Sequence, residues 1–522
     1  VRDSIAIRPF SEANLRRSSI LTVSALSCVL FGVAAVRLNS HSSSAEAAQA
    51  QAAPAPPAAH LEAVSTTVST GKPAEILSPQ PSSSPSTAIY TAKRGDTIPA
   101  VARQYLKTTS YLTSSELADA IRSLNGNRSG NILKAGELIT IPGILPAPIV
   151  ERTVPVAKDF EVRAIYLTGI MAASDHGLRI IRHWREVGGN AVVFDIKDSD
   201  GSVTIPFEHP LLGKHQVYIH DLPKFVHFLH SQNMHAIARI AMFRDERMVV
   251  EHPELAVQSK KNKQPWRENG KLVWTDPSQP KVQDFDIALA KFVAQSGADE
   301  IQFDYVRFPA EGDQKDASFL YQSEKNKEKW QRSDVITDFL KKAYAELHPT
   351  GVLLSLDVFG VMAWLRPVDL SHTGQDIIGM AKYCDVLSPM IYPSHFFGMD
   401  GIEHPGDAPE HFIGESMQRF ELITKGSGVV VRPWLQAFRW RTKTYSPEYI
   451  KVQVATAKEK GGIGFLFWNA ANDYSKPYAA MPEMRAAKEK YFRGDELPTV
   501  AVKAGLSLAP LPSAVSIDAV NH

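Results

Sequence analysis

The chain has 522 residues, 44% of them hydrophobic and 22% charged, with 57 basic and 56 acidic side chains for a net charge of +1. At roughly 150 residues per domain this length suggests about three units, or one large barrel with attachments. The balanced charge gives no nucleic-acid signature, and two cysteines exclude a disulfide framework or a four-thiolate zinc site.

After the first segment, 1–17, which ends in Arg16 and Arg17, the run Ser18–Val36 carries no charge. Roughly 18–20 such residues span the hydrocarbon core of a bilayer as a helix. Positive charge before the run and polar chain after it predict an N-in orientation, with the rest exported. Segment 18–37 is therefore expected to be a transmembrane anchor in the inner membrane, with 1–17 cytoplasmic. A cleaved signal, with Ala45-Glu46-Ala47 as a poorly placed processing site, is the alternative. It would make the protein secreted instead of membrane-anchored; both readings put the bulk of a bacterial chain in the periplasm or cell envelope. Residues 38–87 are rich in Ala, Pro and Ser and lack the large apolar residues that offset ordering entropy, so they read as a disordered linker. The tail 493–522 has similar character.

Between 88 and 143 the pattern becomes structured. Tyr90-Thr91-Ala92 predicts a short strand, and Gly95-Asp96-Thr97 a turn in which Asp96 or Thr97 caps a helix opening at Ile98-Pro99. Thr113-Ser114-Ser115-Glu116 reads as a capping box for a second helix ending near Asn125-Gly126, and Leu138–Pro142 as a closing strand. This βααβ unit resembles a LysM module in Tyr90, Gly95, Asp96, Thr97, Ala102, Asn125, Gly136 and Ile141-Pro142. The resemblance implies binding of N-acetylglucosamine-containing glycans, peptidoglycan among them, with Gly95, Asp96, Thr97, Ile98 and the 130–133 stretch lining a shallow groove. The longer inter-helix segment and the extended 125–133 loop depart from that pattern.

From 160 to 492 the chain repeats an apolar strand, a polar loop and an amphipathic helix. Strands are expected at 162–168, 191–197, 236–243, 300–308, 352–359, 386–392, 429–438 and 463–469. Short continuous apolar strands separated by helices indicate a parallel sheet covered by helices, and eight such units indicate a (β/α)8 TIM-type barrel. An open doubly wound sheet is disfavoured because no Gly-x-Gly-x-x-Gly follows any strand. The fold class is α/β: a barrel preceded by the small βααβ domain.

In such barrels the site lies at the C-terminal strand ends. Strand alternation points Gln302 and Asp304 inward and Tyr305 outward; Ser355 and Asp357 point inward, as do Val193, Asp195 and Lys197. Buried carboxylates are costly unless paired or functional, and glycoside hydrolysis needs one protonated and one ionised carboxyl across the scissile bond. Asp304 and Asp357 satisfy that requirement as catalytic residues, with Asp195 as an alternative catalytic carboxylate or a sugar ligand. The competing structural reading is ion pairing, Asp304 with Arg307 or Lys197 and Asp357 with Arg366. Lys197, Arg307, Tyr392, His395, Gln436, Trp468 and Asn469 are further substrate-binding candidates by their places near strand ends.

The segments DEIQFDYVRFP, FDIKD, SLDVFG, DVLSPMIYPSHF, RPWLQAF and GFLFWNA together resemble the glycoside-hydrolase barrel family catalogued as a domain of unknown function. The resemblance covers the whole barrel and implies Asp304 as nucleophile or base and Asp357 as acid. Strand 300–308 lacks the DxxDxDxE pattern of chitinase-like barrels, which disfavours substrate-assisted cleavage. No cofactor motif and no coherent metal set is found at the strand ends, and no nucleophile elbow. The expectation is a glycoside hydrolase of an extracytoplasmic polysaccharide, held at the wall by the LysM-like unit. The alternative is a non-catalytic glycan-binding or wall-organising protein with an inactive barrel. The oligomeric state is not determined by the sequence.

Overall fold

The computed structural model describes residues 86–325 and 327–484. The expected anchor or signal, nearly all of the expected linker and the expected tail lie outside these residues. Among the described residues no helix is long and apolar enough to cross a membrane.

The first unit is β1 (Ser86–Thr91), α1 (Ile98–Tyr105), α2 (Ser114–Leu124) and β2 (Leu138–Ile144), with β1 and β2 antiparallel. Thr97, not Asp96, caps α1, its hydroxyl accepting the Ala100 N–H at 3.3 Å. Asp96 instead closes the preceding turn, accepting from Tyr90 Oη (2.6 Å) and the Lys93 N–H (2.7 Å). Thr113 caps α2, but Glu116 reaches across to Arg182 on the next domain at 2.5 Å. That bridge, the Thr113–Asp175 hydrogen bond, and Lys224 donating to the Leu106 (3.0 Å) and Tyr111 (3.4 Å) carbonyls seat the unit on the flank of the barrel.

The barrel strands are β3 (Val162–Leu167), β4 (Ala191–Lys197), β5 (His235–Ala241), β6 (Glu300–Asp304), β7 (Leu353–Phe359), β8 (Val386–Ile391), β9 (Val430–Val431) with β10 (Trp434–Gln436), and β11 (Gly464–Trp468). All pair in parallel, and β11 returns to β3, closing an eight-stranded barrel in which β9 and β10 form one interrupted strand. The interruption falls at Pro433, which has no N–H to give the ladder. Gly464 sits at the closure with φ +78°, where an added Cβ would lie 2.1 Å from the Val162 carbonyl oxygen; no other residue fits. The covering helices are α3 (Asp175–Glu186), α4 (Leu222–Ser231), α5 (Pro280–Gln295), α6 (Arg332–Leu347), α7 (Pro367–Thr373), α8 (Pro409–Thr424), α9 (Pro447–Glu459) and α10 (Ser475–Met484).

Alternation divides the strands into two faces. Ile301, Phe303, Leu354 and Leu356 pack outward into the shell shared with the helices, while Ala164, Tyr166, Val193, Ile237, Trp434 and Leu466 fill the interior. Lys197 departs from the expected inward face. The β4–β5 register skips one residue between Asp195 and Lys197, and this bulge turns Lys197 outward. Its Nζ lies 3.0 Å from each of Asp245 and Asp286, on the helix side of the sheet.

At the N-terminal end of the barrel, Glu300 accepts from Arg432 at 2.9 and 3.0 Å and lies 3.1 Å from His235 Nε2. Burial raises the Glu300 pKa, but Arg432, His235 and Ser355 outweigh it and bring it from 4.5 to about 2. A depressed carboxylate contributes stability that is fully present above pH 4.5 and lost as pH falls toward 2. Glu300→Gln strands the Arg432 charge in the core and is expected to cost about 3–5 kcal/mol at pH 7. Urea unfolding checks this; the gap between wild type and variant should narrow on acidification.

Candidate active site

At the C-terminal strand ends one pocket is lined by Asp304, Asp357, Arg239, Arg244, Tyr305, Arg307, Glu268, Phe359, Tyr392, His395, Trp434, Phe438 and Trp468, with some smaller neighbours. Asp304 ends β6. Its Oδ2 accepts from Arg239 Nη2 (2.6 Å) and Nε (3.1 Å), and its Oδ1 from the Tyr305 N–H (2.6 Å). These bonds fix the orientation of the carboxyl. The last of them requires Tyr305 to adopt φ +54°, a left-handed conformation that is unfavourable for a bulky residue and typical of functional sites. That turn ends the strand at Asp304 and brings Tyr305 onto the pocket wall, against the outward placement expected from alternation.

Asp357, on β7, is 1% exposed, and its Oδ1 accepts from Trp434 Nε1 at 2.6 Å. Burial, and then the charge of Asp304, push its pKa well above the ordinary carboxylate range, against the opposing pull of Arg239 and the Trp434 bond. This Asp357 and the Arg239-bound Asp304 share one cavity. None of the three ion-pair partners expected from the sequence applies: Asp304 pairs with Arg239, Lys197 with Asp245 and Asp286, and Arg366 with Asp369 at 2.5 Å.

Asp195 lies behind this wall and does not line the pocket. Arg239 Nη1 donates to it at 2.5 Å and Tyr166 Oη also bonds it, so one guanidinium ties Asp195 to Asp304. Burial raises Asp195 to about 7, opposed by Arg239. Tyr166 stacks on Trp468 with ring centroids 4.1 Å apart, and Trp434 meets Trp468 edge-on at 5.6 Å. This aromatic wall can stack against a sugar ring. Opposite, burial and then Arg441 lower the His395 pKa to about 3, so its imidazole is neutral and offers a hydrogen bond without charge.

Besides Asp195, four expected contacts are placed elsewhere. Lys197 is turned outward, as above. Gln436 is fully buried, bracing Ser394 N (3.2 Å) and the Phe438 carbonyl (3.0 Å). Asn469 ties the Ala437 (2.6 Å) and Asp473 (2.7 Å) carbonyls. Ile98 is fully buried in the core of the βααβ unit and cannot touch a glycan there. Around it, Gly95, Asp96 and Thr97 keep partial or full exposure, and a Thr97–Ile132 bridge joins their loop to the 130–133 stretch. Arg307, Tyr392, His395 and Trp468 do line the pocket with Asp304 and Asp357.

A family model described as "Putative glycosyl hydrolase domain" matches residues 164–474, more than half of the chain and nearly the whole barrel. The chain belongs to this glycosyl hydrolase family. No curated protein matches the sequence. Similar solved structures include a hypothetical protein from Ruminiclostridium thermocellum ATCC 27405, at 35% identity over 37% of this chain and 97% of that one, with a TM-score of 0.33. The PgaB (BpsB) glycoside hydrolase domain from Bordetella bronchiseptica is 14% identical over 63% of this chain and 99% of its own, with a TM-score of 0.48. The spore cortex-lytic enzyme SleL of Bacillus megaterium QM B1551 is 12% identical over 76% and 86%, with a TM-score of 0.37.

Within this hydrolase barrel, Arg239 is the residue that sequence reasoning missed. It is the only charge in the apolar run AIARIAMF, at the same parity as Ile237, and that lone charge was the available signal. The Trp434 bond also makes a prediction. It favours ionised Asp357, so Trp434→Phe raises the Asp357 pKa further. A general acid works only while protonated, so activity is lost as pH rises through its pKa. The alkaline limb of kcat/KM should therefore move to higher pH by roughly half to one unit. A limb that stays in place or moves down would count against Asp357 as the acid.

Proposed function

We propose that this glycosyl hydrolase cleaves an extracytoplasmic polysaccharide, with Asp357 as general acid and Asp304 as nucleophile or base. The observation that carries the reading is the pairing of a buried, protonation-prone Asp357 with an Arg239-bound Asp304 in one aromatic-walled pocket. Asp195 and Arg239 fix the orientation of Asp304, while Trp434 fixes Asp357. Family membership and the position of the pocket at the C-terminal strand ends support the same chemistry.

The βααβ unit is proposed as a LysM-type module that holds the enzyme on N-acetylglucosamine-containing glycan, peptidoglycan included, through Gly95, Asp96, Thr97 and the adjoining 130–133 loop. Together with the sequence of 18–37, this reading supports an enzyme that works in the bacterial envelope, tethered to the inner membrane or, after cleavage, secreted.

The test is release of reducing ends by the full chain from purified peptidoglycan, other amino-sugar polymers and neutral polysaccharides. Release from one of them supports the hydrolase. Binding without release from any would overturn turnover and favour a wall-binding role.

A further inference from the structure

Three arginines line the pocket, and two are neutralised inside the protein. Arg239 is shared by Asp195 and Asp304, and Arg244 pairs with Glu246 at 2.9 Å while donating to the Ser199 carbonyl at 2.9 Å. Arg307 differs. It is 9% exposed and makes no ion pair among the described residues; the one hydrogen bond of its side chain there is from Nη1 to the Phe308 carbonyl at 3.1 Å. The guanidinium carbon lies 4.6 Å from the Trp274 ring centre, 4.5 Å from that of Phe359 and 5.3 Å from that of Tyr305. Three rings therefore pack around the guanidinium and restrict its movement. Its Nε and Nη2, the edge that grips a carboxylate with two parallel hydrogen bonds, make none within the described protein.

A buried cation held this way is costly unless something meets it. Glu268, the acid whose charge acts on it most, does not reach ion-pair distance, and burial lowers the Arg307 pKa. The position is equally informative. Arg307 follows Asp304 by three residues, its ring partner Phe359 follows Asp357 by two, and all four line the same pocket.

We propose that Arg307 selects a sugar bearing a carboxylate, gripping it bidentately in the subsite next to the bond that is cut. This rests on the glycosidase reading above. The carboxylate is either on the ring, as in a uronic acid, or on a lactyl ether of an amino sugar, as in glycan strands stripped of peptide. The planar fork favours a planar oxyanion, and stacking removes the freedom that a point charge would keep.

The test uses the full chain with two acidic substrates, a uronate-containing polymer and peptide-stripped peptidoglycan strands, each beside its carboxyl-reduced neutral form. Wild type should lose at least about 100-fold in kcat/KM on reduction of whichever substrate it cuts. Which of the two acids shows the loss identifies the source of the carboxylate. In Arg307→Gln the acidic and reduced forms should become equally poor, and Arg307→Lys should recover part of the preference. If removing the guanidinium prevents folding, the comparison of acidic and reduced substrates on wild type still decides. Equal cleavage of acidic and reduced forms overturns the proposal while leaving the glycosidase intact. Should nothing be cleaved, binding of the acidic oligosaccharides to Asp357→Asn is read instead. Carboxylate-dependent affinity supports Arg307 and sinks only the hydrolase reading; affinity indifferent to the carboxylate overturns Arg307 as well.

Discussion

Asp357→Asn is expected to lower kcat/KM by about 10²–10⁴-fold on the glycan that wild type cleaves, the range supplied by a positioned general acid. Stability should hold. The buried carboxyl is pushed toward its neutral form by burial and by Asp304, and an amide has the same shape as that neutral acid. The amide oxygen can still accept the Trp434 N–H that Asp357 accepts at 2.6 Å. Replacing an acid disfavoured by its like-charged neighbour should leave the melting temperature unchanged or raise it. Activity lost with the fold intact is the signature of a chemical role. Full activity in this variant would move the acid elsewhere, with Asp195 the next residue to replace.

Asp304→Asn should lose a comparable factor of about 10²–10⁴, but with a different stability signature. Asp304 takes two hydrogen bonds from Arg239, and an amide in its place leaves that buried guanidinium with Asp195 and, at 3.8 Å, Asp198 as its remaining counter-charges. Removing one partner of a buried pair destabilises because the other charge stays behind. The melting temperature should fall here and not in Asp357→Asn. The asymmetry separates an Arg239-bound nucleophile or base from a buried general acid without assuming the stereochemistry of the reaction. Equal melting temperatures together with retained turnover would mean that the Asp304–Arg239 pair is structural.

Much of this architecture could be read along the chain. Strand alternation depends only on backbone geometry, so Gln302, Asp304, Ser355 and Asp357 were assignable to the inner face from local sequence, and eight βα repeats implied closure. Local reasoning failed where backbone irregularity broke the alternation. One extra residue in β4 turned Lys197 outward, and a left-handed turn after β6 brought Tyr305 into the pocket. Neither irregularity leaves a composition signal, since both are set by how adjacent strands pair.

The sequence by itself determined the fold class, the C-terminal end of the barrel as the place of the site, and the two carboxylates there, because period-2 patterning and segment lengths are local properties. It also marked the βααβ unit through its turn and cap residues. Only the tertiary structure decided who meets whom. Arg239 serves two aspartates from β4 and β6, and Trp434 crosses from β10 to Asp357 on β7. Arg307 packs against Trp274 and Phe359 with its gripping edge unmatched among the described residues. Those partners are separated by tens of residues in the chain and become neighbours only when the barrel closes. Charge state and hydrogen bonding depend on such neighbours, so the different surroundings of Asp304 and Asp357 are a property of the folded barrel.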